Sequence, residues 1–346
     1  MKTFFPSIVG NDTLCRRIGT EFQAKNFLHA YILHGQRGSG KHTLALQMAM
    51  AAACENRSSD AHPLPCGTCK FCRKIASGNC PDVITVKKDP ERATFGVDVI
   101  RALRSGIATV PNDLDVKFYL IEDAHLMTEE AQNAFLLTLE EPPPFVVFLL
   151  LCEDTDALLE TVRSRAPILR LLPVKESDIS KYLLTAKEAV AAGAPALASE
   201  KPEEFAALIT LANGSIGRAL SLLDPELRAP LLKQREFATK LLLFLADGNK
   251  GEQLLHLLLS LGTARKAIVA QLSVLLLAIR DLILLSRTET ATLVFFADRE
   301  AASELCACFT VKQLLALSEA VETAQNALLA NANVKITLAR LLSQFL

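Results

Sequence analysis

The residues with the clearest chemistry are Gly35-Gln-Arg-Gly-Ser-Gly-Lys-His-Thr43. Glycines at 35, 38 and 40 let the backbone curl so that several N–H groups face one anion, and a helix start directly after them adds unpaired donors and a positive dipole end. Lys41 supplies a point charge for outer phosphates, in the Gly35-x4-Gly40-Lys41 spacing of a Walker A loop. Gly35, Gly38, Ser39, Gly40 and Lys41 are therefore candidate nucleotide contacts. The residue after the lysine ordinarily gives Mg²⁺ a hydroxyl; here it is His42, with Thr43 one place late. One residue on a helix turns a side chain by about 100°, so Thr43 is not expected to substitute.

Two acids follow the apolar run Lys117-Phe-Tyr-Leu-Ile121, namely Glu122 and Asp123. This is the Walker B position, where one carboxylate holds the cation and the next orients water. The usual order is Asp then Glu. Reversed, Glu122 is one methylene too long for the cation and Asp123 one too short for the water. The pattern predicts a nucleotide pocket with its cradle intact and its cation and water positions altered, so that bound ATP or Mg²⁺ is doubtful.

A third group is built from sulfur. Cys66-Gly-Thr-Cys69-Lys-Phe-Cys72 has Cys54 before it and Cys80 after it. Tetrahedral Zn²⁺ takes four thiolates, and Cys-x2-Cys turns bring two sulfurs to one ion, with Gly67 helping the chain double back. The fourth ligand is Cys54 or Cys80; Cys54 is favoured because Cys80 opens the next apolar run. Such a closed site would staple an insertion over about 54–80 and do no chemistry.

The surrounding elements must place these groups. Apolar runs at 30–34, 81–86, 117–121, 145–152 and 167–171 read as strands. Helical patterns fill 13–25, 44–53, 97–107 and 129–141, the last stopped by Pro142. Strands alternating with helices predict an α/β domain with a mainly parallel sheet. Arg101 and Arg104 fall on one helix face, read as solvated. Arg165 precedes the last strand, where an exposed guanidinium can reach a neighbouring subunit's nucleotide. Beyond Pro173 the chain reads as helical. Residues 175–224 form a small domain containing Asn213-Gly-Ser-Ile-Gly-Arg-Ala-Leu220, and a Leu- and Ala-rich bundle runs from about Pro230 to Leu346 with breaks near 248–251, 262 and 287–292.

The totals narrow the class. The chain has 346 residues, half of them hydrophobic, and a formal net charge of −1, so it carries no overall basic footprint for nucleic acid. Met1-Lys-Thr-Phe-Phe-Pro6 is too short for a secretion signal, which sets the expectation of a reducing, cytoplasmic location for its nine cysteines. The apolar stretch 267–285 is interrupted by Gln271, Arg280 and Asp281, so a buried helix is expected and no membrane span.

These motifs in this order resemble the AAA+ clamp-loader subunits of bacterial DNA polymerase III over nearly the whole chain. The resemblance rests on the phosphate loop, the cysteine insert, the paired acids, Asn133-Ala-Phe-Leu-Leu-Thr-Leu-Glu-Glu-Pro-Pro143, Ser164-Arg165 and Gly214-Ser-Ile-Gly-Arg218, with Leu137, Thr138 and Ala166 departing from the family pattern. It implies an AAA+ domain over 1–172, a helical lid over 173–228 and a helical oligomerisation collar over 229–346. It implies that Val9 and Gly10 line an adenine pocket, that Arg218 is the sensor 2 arginine, that Arg165 is an arginine finger acting in trans, and that Cys54, Cys66, Cys69 and Cys72 hold structural zinc. The altered His42, Glu122 and Asp123 point within the family to the delta-prime type, with gamma/tau the alternative. Implied partners are the gamma/tau and delta subunits in a hetero-pentamer, the sliding clamp and primed DNA through the assembly.

Overall fold

The computed structural model describes residues 2–89, 91–92, 94–248, 251–288, 293–296 and 298–345. Two compact units emerge, Met1–Tyr182 with Gly214–Arg218, and Leu183–Asn213 with Ala219–Leu346.

The first unit begins with α1 (Asp12–Gln23) and β1 (Ala30–His34), then α2 (Lys41–Ala53) and the short α3 (Lys70–Ala76). It continues through β2 (Val83–Val86), α4 (Val97–Ile107), β3 (Lys117–Ile121), a 3₁₀ turn at Ala124–Leu126 and α5 (Glu129–Glu140). β4 (Val146–Cys152), α6 (Glu160–Arg163) and β5 (Ile168–Arg170) complete the sheet, and α7 (Glu176–Thr185) spans the division between units. The strands lie in the order β2-β3-β4-β1-β5, and every pairing is parallel. Parallel strands buried on both faces need unbroken apolar runs. All seven residues of β4 and all five of β3 are buried accordingly. Phe148 of β4 sits between Tyr119, 5.7 Å away ring to ring, and Phe135 of α5, in an edge-on contact at 5.2 Å.

Loops in this unit are pinned by buried polar groups. Asp82, fully buried, accepts N–H bonds from Asn112 (2.8 Å), Asp113 (2.6 Å) and Leu114 (2.9 Å). The segment Gly214–Arg218 belongs here despite its place in sequence. Gly217 N–H donates to Gly38 O at 2.9 Å and Ser215 Oγ to Arg37 O at 3.0 Å.

The second unit is helical: α8 (Lys187–Ala191), α9 (Ala194–Glu200), α10 (Pro202–Ala212), and α11 (Ile216–Ser221) across the division. Next come α12 (Pro225–Asp247), α13 (Gly251–Leu259), α14 (Arg265–Leu285), α15 (Arg299–Ala307), α16 (Val311–Leu329) and α17 (Val334–Phe345). The helical run expected from about Pro230 starts earlier, at Pro225. Asp224 caps α12 by accepting from Glu226 N–H, Pro225 occupies the first turn, and the helix runs through Pro230 at the cost of one backbone hydrogen bond. The breaks expected at 248–251 and 287–292 fall partly on residues 249–250 and 289–292, outside the described residues. By length and composition α14 could cross a membrane, yet Ile268, Leu272, Leu275, Ile279 and Leu282 are buried in the core of this unit. Its Asp281 is fully buried and accepts N–H bonds from Val294 (2.7 Å) and Phe295 (2.6 Å).

Replacing Asp82 by Ala strands three amide donors. Denaturant unfolding of Asp82→Ala should show a loss of about 3 kcal/mol, the upper part of the range for an orphaned buried group. A loss under about 0.5 kcal/mol would mean that the carboxylate does not anchor the 112–114 loop.

Candidate functional site

Open α/β sheets bind ligands at the carboxyl ends of their strands. β1, β3 and β4 deliver His34, Ile121 and Cys152 to that edge, and the groups with chemistry come immediately after them. The loop after β1 turns through Gly38 and Gly40, with φ of +75° and +94°. Gly35 is needed for space, because a Cβ there would lie 2.6 Å from Ser39 Oγ and 3.2 Å from Leu171 O. Gly217 is needed likewise: a Cβ would come within 2.9 Å of Gly38 Cα. A cleft of about 710 Å³ opens beside the loop, lined among others by Gly38, Lys41, His42, Thr43, Glu122 and Asp123.

Several contacts define its electrostatics. Lys41 Nζ donates to Gly35 O at 2.6 Å and Gln36 O at 3.0 Å and lies 3.8 Å from Glu153 Oε1. Burial pushes the Lys41 ammonium below its ordinary pKa, with Glu153 and then Asp123 opposing. His42 Nδ1 meets Glu122 Oε1 at 3.1 Å, and Lys87 Nζ meets Glu122 Oε2 at 3.3 Å. Asp123 holds φ +51° and starts the 3₁₀ turn.

The residues present fit a polyphosphate better than its cation. The loop offers its backbone cradle, Lys41, and Ser39 Oγ buried without a hydrogen-bond partner. The cation half does not fit, because position 42 has no hydroxyl and Glu122 is already shared by two basic side chains.

Other expected site residues are placed as follows. Val9 and Gly10 are outside the lining of this cleft. Gly10 turns with φ +68° beside Val174, while Asn11 brackets Leu172 with two hydrogen bonds of 3.1 and 2.7 Å. Arg218 follows the docked turn, and its N–H donates to Ser215 Oγ at 3.1 Å. Arg165 lies just past α6. Its guanidinium donates to Glu140 Oε1 at 2.6 Å and to Thr161 O at 2.9 Å, half-exposed. A pair this accessible to water is worth about 0–1 kcal/mol, so it is readily exchanged for another anion.

The sulfur cluster is compact. Cys54, Cys66, Cys69 and Cys72 bring their sulfurs within 4.8 Å of one another at the end of α2 and the start of α3. Cys80 is set apart, grouped instead with Asp82 and Asp113. Asp82 is spent on three backbone amides and Asp113 pairs with Lys74, so that second group is a loop anchor. Burial raises the Cys66 thiol, but N–H and hydroxyl donors from Cys69 and Thr68 outweigh it and bring the pKa down to about 5. Burial raises that of Cys72. The four thiols can close on one tetrahedral ion.

Sequence reasoning missed Glu153, His125, Lys88 and Ser215. Glu153 was detectable, since it follows the apolar run of β4 and so must stand at the ligand edge of the sheet. Ser215 was not, because its contact with Arg37 joins residues 178 positions apart.

Residues 10–175 match the family described as DNA polymerase III, delta subunit. A DNA polymerase III subunit gamma of Buchnera aphidicola (subsp. Schizaphis graminum) is 34% identical over 221 residues, 64% of this chain and 57% of that protein. The tau subunit of Bacillus subtilis is 34% identical over 161 residues, covering 46% and 28% of the two chains. A delta' subunit of Yersinia pestis is 33% identical over 137 residues, 40% of this chain and 39% of that one. Over these spans the chain is similar to gamma, tau and delta' subunits of DNA polymerase III. It spans 57% and 28% of the gamma and tau relatives' own lengths. A Thermotoga maritima structure described as a DNA polymerase III gamma subunit-related protein matches 95% of this chain and 98% of its own at 19% identity, with a TM-score of 0.44.

Two measurements check the site. Gly217→Ala should lower the melting temperature by several degrees, roughly 1 kcal/mol or more, by prying the 214–218 turn off the phosphate loop; an unchanged melting curve would show that the turn yields freely. Elemental analysis should find one zinc per chain, and Cys72→Ser should lose it and melt earlier. Zinc-free wild-type protein of full stability would refute a structural ion.

Proposed function

We propose that this chain is a clamp-loader subunit of the delta-prime type, a stator that does not hydrolyse ATP itself. The single observation that carries this reading is the His42–Glu122 pair at 3.1 Å. In an active phosphate-loop ATPase these two positions serve a magnesium ion; here they serve each other, and Lys87 shares the same carboxylate. Asp123 in the second acidic position completes the departure from a water-positioning site.

In this reading Arg165 is the functional group. It leaves Glu140 to meet the nucleotide of an adjacent ATPase subunit, where a guanidinium stabilises charge developing on the γ-phosphate. Zn²⁺ on Cys54, Cys66, Cys69 and Cys72 fixes the insertion. Residues 173–228 act as a lid, and 229–346 as a collar through which the chain joins gamma/tau and delta subunits in a hetero-pentamer. That assembly opens the sliding clamp and closes it on primed DNA in the bacterial cytoplasm. No membrane is involved.

A second reading, a gamma/tau-type motor subunit, is favoured by the retained Lys41 and by the 34% identity to gamma and tau subunits. Arg165→Ala separates the two. In a reconstituted loader the stator reading expects normal assembly by gel filtration but hydrolysis at the neighbouring site lowered by about 10³-fold. Lys41→Ala should leave turnover unchanged. The reverse pattern, with Lys41→Ala abolishing turnover, would favour the motor.

A further inference from the structure

Glu153 belongs to neither nucleotide motif, yet it faces the lysine of the phosphate loop. It stands one residue beyond β4, the strand hydrogen-bonded to β1 along its length, so the sheet itself brings it beside Lys41. The backbone on either side is held: Glu153 N–H donates to His125 Nδ1 at 3.4 Å, and the Cys152 thiol donates to Asp154 O at 2.8 Å. Of the three donors on the Lys41 ammonium, two go to Gly35 O and Gln36 O within its own loop. Glu153 Oε1 is 3.8 Å away, against a lysine side chain only 10% exposed.

We propose that Glu153 is an intramolecular occupant of the phosphate cradle, neutralising Lys41 in place of a polyphosphate and setting the nucleotide affinity of this loop. The inference rests on the phosphate-loop reading of residues 35–41. An entering polyphosphate must take Lys41 from Glu153. It must then lie beside a carboxylate that has lost its partner in a partly desolvated site. Both effects disfavour binding, and both vanish when the side chain is neutral. Glu153 is thus an affinity-determining residue, separate from the altered cation positions at 42 and 122.

The test is ATP and inorganic pyrophosphate binding to the full chain by titration calorimetry, in EDTA and again in Mg²⁺. Wild type is compared with the isosteric Glu153→Gln and the smaller Glu153→Thr, which guard against a variant that fails to fold. In EDTA both variants should bind ATP about tenfold more tightly, a difference of about 1.4 kcal/mol. Pyrophosphate should shift the same way, and adding Lys41→Ala should erase the gain. Unchanged affinity in folded variants would overturn the proposal. So would a loss of affinity confined to Mg²⁺, which would make Glu153 a cation ligand. Failure of the non-hydrolysing reading would show separately, as ATP turnover by the wild-type chain.

Discussion

A lysine whose side chain is only 10% exposed carries a charge that needs compensation, and much of this site follows from how that is done. In a phosphate loop the compensating charge is ordinarily the ligand's. Here the loop's own carbonyls and Glu153 stand around the lysine. The same principle holds one turn further on. Glu122, which would otherwise face a cation, is compensated by His42 and Lys87. Lys41 and Glu122, the two charges at the phosphate and cation positions, thus both have partners within the chain.

That arrangement depends on the sheet. Placing β1 between β4 and β5 brings the ends of β1 and β4 side by side, so the loop after one and the acid after the other must meet. The docked 214–218 turn braces the loop from another side through backbone contacts too close for any residue but glycine at 217. An active site for hydrolysis needs parts that move and exchange ligands. This one is held by hydrogen bonds within the chain.

Much of the architecture was legible in the residues. Parallel strands announce themselves as continuous apolar runs, so the spans at 30–34 and 145–152 correspond closely to β1 and β4, and the helical spacing of Val97, Ile100, Leu103 and Ile107 marks α4. Local signals failed where distant groups decide the outcome. Pro230 reads as the start of a helical run, yet α12 begins at Pro225 and packing carries it through. Nothing local marks Asp82 and Asp281 as loop anchors, yet each is buried around backbone amides from a later segment, 30–32 and 13–14 residues on. The Lys41–Glu153 pair was hidden for the same reason, because it depends on which strands are neighbours.

The most direct test of the central claim is ATP turnover by the purified chain alone, with and without Mg²⁺. A cleft whose cation-binding groups are paired with one another should give no turnover above the rate in buffer under either condition. Magnesium-dependent hydrolysis that disappears with Lys41→Ala would contradict the account.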